Sequence, residues 1–248
     1  MKNYKHLFFD LDGTLWDLYR NTEEALTILR DELSEKGIEI KDFKRFYQRY
    51  LHHNERVWAL YRVGKIEKDV LRVIRFERAF QDVGVSLDAN TIDWFADRFL
   101  EVCPKLPNVL PGTIELLDSL KGNYHMHIIT NGFQEVQGFK MTAGNLNEYF
   151  IQIINSEDAG AKKPNPEIFE YALNKAGATI EESLMIGDDW DADIIGARNF
   201  GIDQVFLTYT EKVIFALNGK NEDATPRHNY KPTYTIDSLL ELKEILKK

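Results

Sequence analysis

The chain has 248 residues, 44% of them hydrophobic and 29% charged, an ordinary balance for a globular protein of one large domain or two modest ones. Its formal net charge of −9 argues against a binder of polymeric nucleic acid, which needs a basic footprint, but not against a small anionic substrate, because a local lysine and a metal can reverse the field. The single Cys103 excludes an intrachain disulfide and reads as a packed apolar residue; with no secretory signal and no apolar run of membrane length, a reducing cytoplasm is the expected setting.

Leu7, Phe8 and Phe9 form a short apolar run directly before Asp10-Leu11-Asp12-Gly13-Thr14. Such a run, broken by a Gly turn, reads as a buried parallel strand. Ligands of an open α/β sheet bind beyond the carboxyl ends of its strands, so Asp10 and Asp12 are expected in a site instead of a core. Strand alternation puts carboxylates at i and i+2 on one side, where a cation or a proton must offset their repulsion. The plainer reading is a strand followed by an Asp-Gly turn.

A helix is expected from Asn21, whose spacing to Glu24 resembles a capping box, to Gly37, with Leu26, Leu29 and Leu33 as its stripe. Asp42 to Arg62 is a second helix, rich in aromatics and arginines, and Gly64 breaks it. A third runs from Glu67 to Val83 with Val70, Val73, Ile74 and Phe80 on one face, and a fourth from Asp88 to Val102 with Ile92, Phe95 and Phe99. This run of helices without a strand pattern reads as an all-α insert of about 90 residues, closed by Pro104, Pro107 and Pro111.

Beyond Pro111 helix and strand alternate. Helices are expected at Thr113–Leu120, Gln134–Ala143, Pro166–Ala176, Asp191–Phe200 and Asp237–Leu246. Strands are expected at Tyr124–Thr130, Phe150–Asn155, Ser183–Ile186, Gln204–Leu207 and Tyr234–Ile236. Repeated β-α units predict a parallel sheet with helices on both faces. The polar stretch 210–232 carries no pattern that places it.

Three loops follow expected strand ends. Thr130-Asn131-Gly132 offers a hydroxyl and backbone N–H groups at a helix start, a seat for phosphate, although Thr-Asn-Gly is also a common turn. Lys162-Lys163-Pro164 offers a cation beside a rigid proline, or simply a solvated loop. Asp188-Asp189-Trp190-Asp191-Ala192-Asp193 packs four carboxylates into six residues, costly without a hard cation such as Mg²⁺, although an acidic helix start reads the same way. His125 and His127 alternate along a strand, and His52-His53 lie in a helix; none forms a zinc or nucleophile constellation.

Taken in order, these four stretches resemble the four motifs of the haloacid dehalogenase superfamily, most of whose members are Mg²⁺-dependent phosphatases. The resemblance implies a Rossmann-like α/β core at 1–16 and 107–248, with a four-helix C1-type cap at 17–106. It implies Asp10 as nucleophile and Asp12 as general acid and base. Thr130, Asn131, Gly132 and Lys163 would hold the phosphoryl oxygens, Lys163 taking the role because that lysine commonly stands immediately before the proline, with Lys162 exposed. Mg²⁺ would be held by Asp10, the Asp12 backbone carbonyl and Asp188. Asp193 would orient Lys163 or a metal-bound water, Asp189 would be a neighbour of the ligands, and Asp191 a helix-start charge.

Ile129-Thr130-Asn131-Gly132-Phe133 and Leu110-Pro111-Gly112 are similar to the branch of 5′-nucleotidases acting on pyrimidine and noncanonical nucleoside monophosphates. The substrate implied is a small phosphorylated metabolite, a nucleoside monophosphate, with Trp58, Tyr61 and Arg62 of the insert as candidate contacts to its base; Trp58 and Tyr61 at i, i+3 are equally read as helix-packing residues. N-acylneuraminate-9-phosphatases share much of this pattern, and a β-phosphoglucomutase-type transferase shares every core motif. A 2-haloacid dehalogenase lacks the second aspartate, so Asp12 and Asp188 argue against it. A non-enzymatic binding protein is disfavoured because no core catalytic position is missing.

Overall fold

A computed structural model describes residues 2–210, 212–213 and 230–247. The chain divides into two compact units, residues 1–19 with 107–248 and residues 20–106.

The first unit is built on a six-stranded parallel sheet with helices on both faces, in the order β3-β2-β1-β4-β5-β6. The strands are β1 (His6–Phe9), β2 (His125–Thr130), β3 (Gln152–Asn155), β4 (Ser183–Gly187), β5 (Asp203–Leu207) and β6 (Tyr234–Ile236). β1 is buried along its whole length, as an apolar run between two parallel neighbours must be. Phe8 pairs with His127 on one side and Met185 on the other, and Phe9 with Ile128 and Ile186. One face of the sheet forms a core from Phe8, Ile129, Ile154 and Met185 against Ile168, Phe169 and Ala172. From β1 the chain winds outward through β2 and β3, then returns to β4 and winds the other way. This reversal between β1 and β4 is the topological switch point, where an open sheet leaves a crevice beyond its carboxyl ends.

The second unit takes its helices from α1 (Leu18–Glu35), which begins in the first unit, α2 (Phe43–Arg62), α3 (Lys68–Asp82) and α4 (Ala89–Val102). Asp42 and Asp88 cap α2 and α4, accepting from the N–H groups of Arg45 and Thr91. Its interior is aromatic: Phe46 meets Phe80 at 4.6 Å and Tyr50 stacks on Phe76 at 5.0 Å between ring centroids, with Phe95 and Phe99 also buried. Arg75 lies among these rings, 4% exposed, and donates to Asn54 Oδ1 at 2.8 Å. Cys103 is buried just beyond α4.

Two expectations for these helices fail. α1 starts at Leu18, so Asn21 is a buried residue of its first turns and not a cap. The buried face of α3 is Leu71, Arg75, Phe76, Ala79 and Phe80, while Val70 is 44% exposed. The two phenylalanines set the rotation of the helix, because each buries more area than a valine.

The first unit also carries α5 (Thr113–Leu120), α6 (Gln134–Ala143), α7 (Ser156–Ala159), α8 (Pro166–Ala176), α9 (Gly196–Phe200) and α10 (Leu242–Leu246). The helix expected at 191–200 opens as a π-helical turn, Trp190–Ile195, in which the Ile194 N–H reaches the Asp189 carbonyl. The helix expected from Asp237 starts at Leu239 as a 3₁₀ turn, capped by Ser238 in a capping box with Glu241. Most of the 210–232 stretch lies outside the described residues. No described helix is long and apolar enough to cross a membrane.

Candidate active site

Asp10 immediately follows β1, and its N–H is held by the Ile186 carbonyl of β4 at 2.8 Å. The strand ends at Phe9, so the alternation expected to align Asp10 with Asp12 does not reach Asp12. A compact turn follows, in which the Leu15 and Trp16 N–H groups both return to the Leu11 carbonyl. Gly13 has φ +87°, and a Cβ there would stand 2.4 Å from Asp188 Oδ2, so the turn admits only glycine. Thr14 donates its hydroxyl to Asp188 Oδ1 at 2.7 Å. The first and fourth motifs are thereby locked together at the switch point.

Lys163 is the cation of this crevice, 2% exposed. Its ammonium donates to Asp10 Oδ1 at 2.5 Å, Asp193 Oδ1 at 2.6 Å and the Ile129 carbonyl at 2.8 Å, which uses all three hydrogens. Its backbone is fixed by the Asn131 side chain, which accepts from the Lys163 N–H at 2.8 Å and donates to the Lys163 carbonyl at 2.9 Å. The Asn131 side chain therefore orients Lys163. Lys162 is half-buried. Thr130 is fully buried, and its hydroxyl accepts from the Gly132 N–H at 3.0 Å.

Asp193 is completely buried inside the π-helical turn and pairs with Lys163, while accepting from the Asp189 N–H at 3.1 Å. The Asp189 carboxylate caps that turn by accepting from the N–H groups of Asp191 and Ala192. Asp191 is an exposed charge in the same first turn.

Oxygens of Asp10, Asp188 and Asp193 all lie within 4.8 Å of one another. Burial pushes Asp10 up to about 7; Lys163 pulls against that, and Asp193 and Asp12 add to it. Asp188 is raised well above the usual carboxylate range by burial and by Asp10 and Asp193. Asp193 is raised by burial, against Lys163. Burial also opposes the Lys163 charge, but Asp10 and Asp193 outweigh it and hold the ammonium protonated. One lysine thus faces three crowded carboxylates, an anionic excess of hard oxygen donors that a divalent cation of the Mg²⁺ type fits.

Asp12 is set apart from that cluster. Its carboxylate takes the Lys140 ammonium on both oxygens, at 2.7 and 2.8 Å, with the Gln137 amide at 3.5 Å. Neither residue stands out in the sequence. Their signal was faint: a glutamine and a lysine one turn apart on α6, where its buried face should be apolar. Trp58, Tyr61 and Arg62 belong to α2 of the helical unit, where Trp58 and Tyr61 meet edge to face at 5.6 Å and Tyr61 is buried.

The sequence profile of the haloacid dehalogenase-like hydrolases matches residues 4–201. The chain is 31% identical to pyrimidine 5′-nucleotidase YjjG of Escherichia coli (strain K12), over 97% of this chain and 96% of that one. It is 32% identical to pyrimidine 5′-nucleotidase PynA of Streptococcus pneumoniae (strain ATCC BAA-255 / R6), over 99% and 96%. The crystal structure of Bacillus subtilis YfnB bound to magnesium superposes with a TM-score of 0.81 at 26% identity, covering 99% of both chains. With the motifs and the fold, these matches make the chain a member of the haloacid dehalogenase-like hydrolases.

Proposed function

We propose that the chain is a Mg²⁺-dependent phosphatase that hydrolyses nucleoside 5′-monophosphates, pyrimidine nucleotides above all, through an aspartyl-phosphate on Asp10. The observation that carries the reading is the buried Asp193–Lys163–Asp10 chain beside Asp188, at the switch point of the sheet. Asp10, Asp188 and the Asp12 backbone carbonyl would hold the ion, and Asp193 would orient Lys163. Bound there, Mg²⁺ offsets the charge that builds between an anionic nucleophile and an anionic substrate.

The side chains then divide the work. An Asp10 carboxylate oxygen attacks phosphorus, the ester P–O bond breaks, and the departing oxygen takes its proton from Asp12. In the second half Asp12 takes a proton from water, whose oxygen attacks phosphorus and returns Asp10 and inorganic phosphate. The Thr130 hydroxyl and the Asn131 backbone amide hold phosphoryl oxygens in both halves, while the Gly132 N–H stays on the Thr130 hydroxyl and the Lys163 ammonium, fixed beside Asp10, offsets their charge. The helical unit is assigned the role of cap, with Trp58, Tyr61 and Arg62 selecting the nucleoside.

The nucleotide assignment rests on YjjG and PynA, both pyrimidine 5′-nucleotidases by name and both matched along nearly the whole chain. A cytoplasmic site of action accompanies it, as suits a phosphometabolite substrate. The test is phosphate release from a panel of phosphorylated metabolites. Pyrimidine 5′-monophosphates are expected to give the highest kcat/KM. A preference for N-acylneuraminate 9-phosphate or another sugar phosphate, or interconversion of hexose phosphates, overturns the nucleotidase assignment and leaves the core chemistry standing. Release of halide from a 2-haloacid without Mg²⁺ overturns both.

A further inference from the structure

The two aspartates of the first motif have separate cationic partners. Lys163 spends its three hydrogens on Asp10, Asp193 and a carbonyl, so it has none for Asp12. Asp12 is served from α6. Lys140 is 8% exposed and grips both Asp12 oxygens, and its ammonium lies 4.8 Å from the ring centroid of Trp16, which is fully buried. Trp16 is itself bridged to Asp12 through the backbone, so Asp12, Lys140 and Trp16 close a small triangle. Gln137, one turn earlier on the same face of α6 and 3% exposed, places its amide nitrogen 3.5 Å from both Asp12 Oδ2 and the Thr130 hydroxyl. That amide fills the space beside Gly132, where an added Cβ would come within 1.6 Å of it.

A buried lysine gives up solvation and side-chain freedom, and it persists where a charged partner compensates. Here the partner is the carboxylate that must meet the departing oxygen. Asp12 lies past the end of β1, in a turn, and its side chain is 21% exposed, so strand packing does not fix its rotamer. A misplacement of about 1 Å can cost about a hundredfold in rate.

We propose that Lys140 is a positioning residue for Asp12: with Gln137 it holds the carboxylate in one rotamer, apart from the Asp10 cluster, and so sets the efficiency of proton transfer to the leaving group. The inference rests on Asp12 being the general acid and base. Lys140 is not offered as a substrate ligand, because its ammonium is engaged by both Asp12 oxygens and its stem is covered.

The test uses full-length Lys140→Met, Lys140→Arg, Asp12→Asn and the double variant Asp12→Asn/Lys140→Met, each checked by circular dichroism and thermal melting. Each is assayed on an alkyl phosphate, whose leaving group needs a proton, and on p-nitrophenyl phosphate, whose leaving group does not. Lys140→Met should lower kcat on the alkyl phosphate about 10- to 100-fold with KM little changed, and change the aryl rate less than about threefold. Lys140→Arg should recover most of the loss, and the double variant should be no slower than Asp12→Asn. A rise in KM with kcat intact overturns the proposal, as do equal losses on both substrates or losses that multiply in the double variant. If Asp12→Asn is selective for the alkyl phosphate and Lys140→Met is not, only the positioning role fails. If Asp12→Asn itself shows no selectivity, the acid–base reading fails and takes this inference with it. Should Lys140→Met not fold, Lys140→Arg and Gln137→Leu carry the test: a smaller selective loss on the alkyl phosphate supports the role, and unchanged selectivity in both overturns it.

Discussion

Asp10 and Lys163 are adjacent partners, and their removal should have different consequences. Asp10→Asn removes the attacking oxygen and one of the crowded charges. Activity should fall by at least about 10⁴-fold and no phosphoenzyme should accumulate after rapid quench. Because one source of repulsion at Asp188 is gone, the fold should be retained, with a melting temperature close to the parent's. Residual turnover above about 1% of the parent would contradict the nucleophile assignment. Lys163→Met is the opposite case. It leaves Asp10 and Asp193 buried without their cation. Breaking one partner of such a buried pair costs about 3–5 kcal/mol, so a large drop in the urea midpoint should accompany loss of activity. An unchanged midpoint would mean that the two carboxylates readily neutralise themselves and that Lys163 matters for phosphate alone.

At the scale of elements, the end of the sheet remote from the site carries a histidine cluster. His127 on β2 is 1% exposed, stacks on Phe8 at 4.8 Å and shares a hydrogen bond with His6 Nδ1 at 3.2 Å. Its own Nδ1 has no partner among the described residues. Burial, then His6 and His125, lower its pKa to about 4. His6 is lowered as well, by burial and by His125 and Lys5, with Glu182 opposing. The unfolded histidine titrates near 6.5, so between about pH 6.5 and 4 the unfolded chain binds a proton that the folded one refuses. The stability that these histidines contribute is therefore largest above about pH 6.5 and is lost as the pH drops. From pH 6.5 to 5 the loss attributable to His127 should be about 1–2 kcal/mol, a few degrees in melting temperature. His127→Gln should melt lower at pH 7.5 but lose less on acidification than the parent. Parallel pH profiles for the two proteins would remove His127 as the cause.

The sequence revealed elements where one local signal dominated and obscured them where burial decided. Gln134–Ala143 and Pro166–Ala176 are legible to the residue, because a turn or Asn-Pro opens each and a glycine follows each. The start of α1 is not, because Asn21 is a good cap by type yet lies inside the helix. The face of α3 is misread because Val70, Val73 and Ile74 compete with Leu71 and Phe76 for the core, and sequence alone does not weigh their buried areas. The core motifs were legible because each follows a strand and carries an unusual charge or turn. Lys140 was not, because a lysine on a helix is normally solvated, and its burial follows from Asp12, 128 positions away in sequence.

For the whole molecule, the first question is the ion. Three crowded carboxylates, those of Asp10 and Asp193 buried and that of Asp188 half-buried, should be relieved by Mg²⁺ even in the absence of substrate. Millimolar Mg²⁺ should raise the melting temperature by a few degrees over protein in excess chelator, in proportion to the logarithm of its concentration. Asp188→Asn should abolish that shift, and chelation should abolish phosphatase activity until Mg²⁺ is restored. Full activity in chelator would refute the metal requirement.

The second question is selectivity. The roles proposed for the residues around Asp10 concern the ion, the phosphoryl group and the proton, and none of those roles distinguishes a nucleoside from a sugar. If the helical unit selects the leaving group, weakening it should change KM for large substrates and leave small ones alone. Arg62→Ala is the cleaner variant, because Arg62 is half-buried and Tyr61 is packed against Trp58. Tyr61→Ala removes an aromatic face that could stack on a base, and its melting temperature must be measured alongside, since a buried ring is lost. Both should raise KM for a pyrimidine 5′-monophosphate about 5- to 50-fold, with kcat changed less, and shift KM for p-nitrophenyl phosphate less than about twofold. An equal rise for both substrates would mean that the variants disturb the phosphoryl site through the fold. Unchanged constants for both would make Trp58, Tyr61 and Arg62 packing residues of α2, and would move the search for base recognition to other residues of the helical unit.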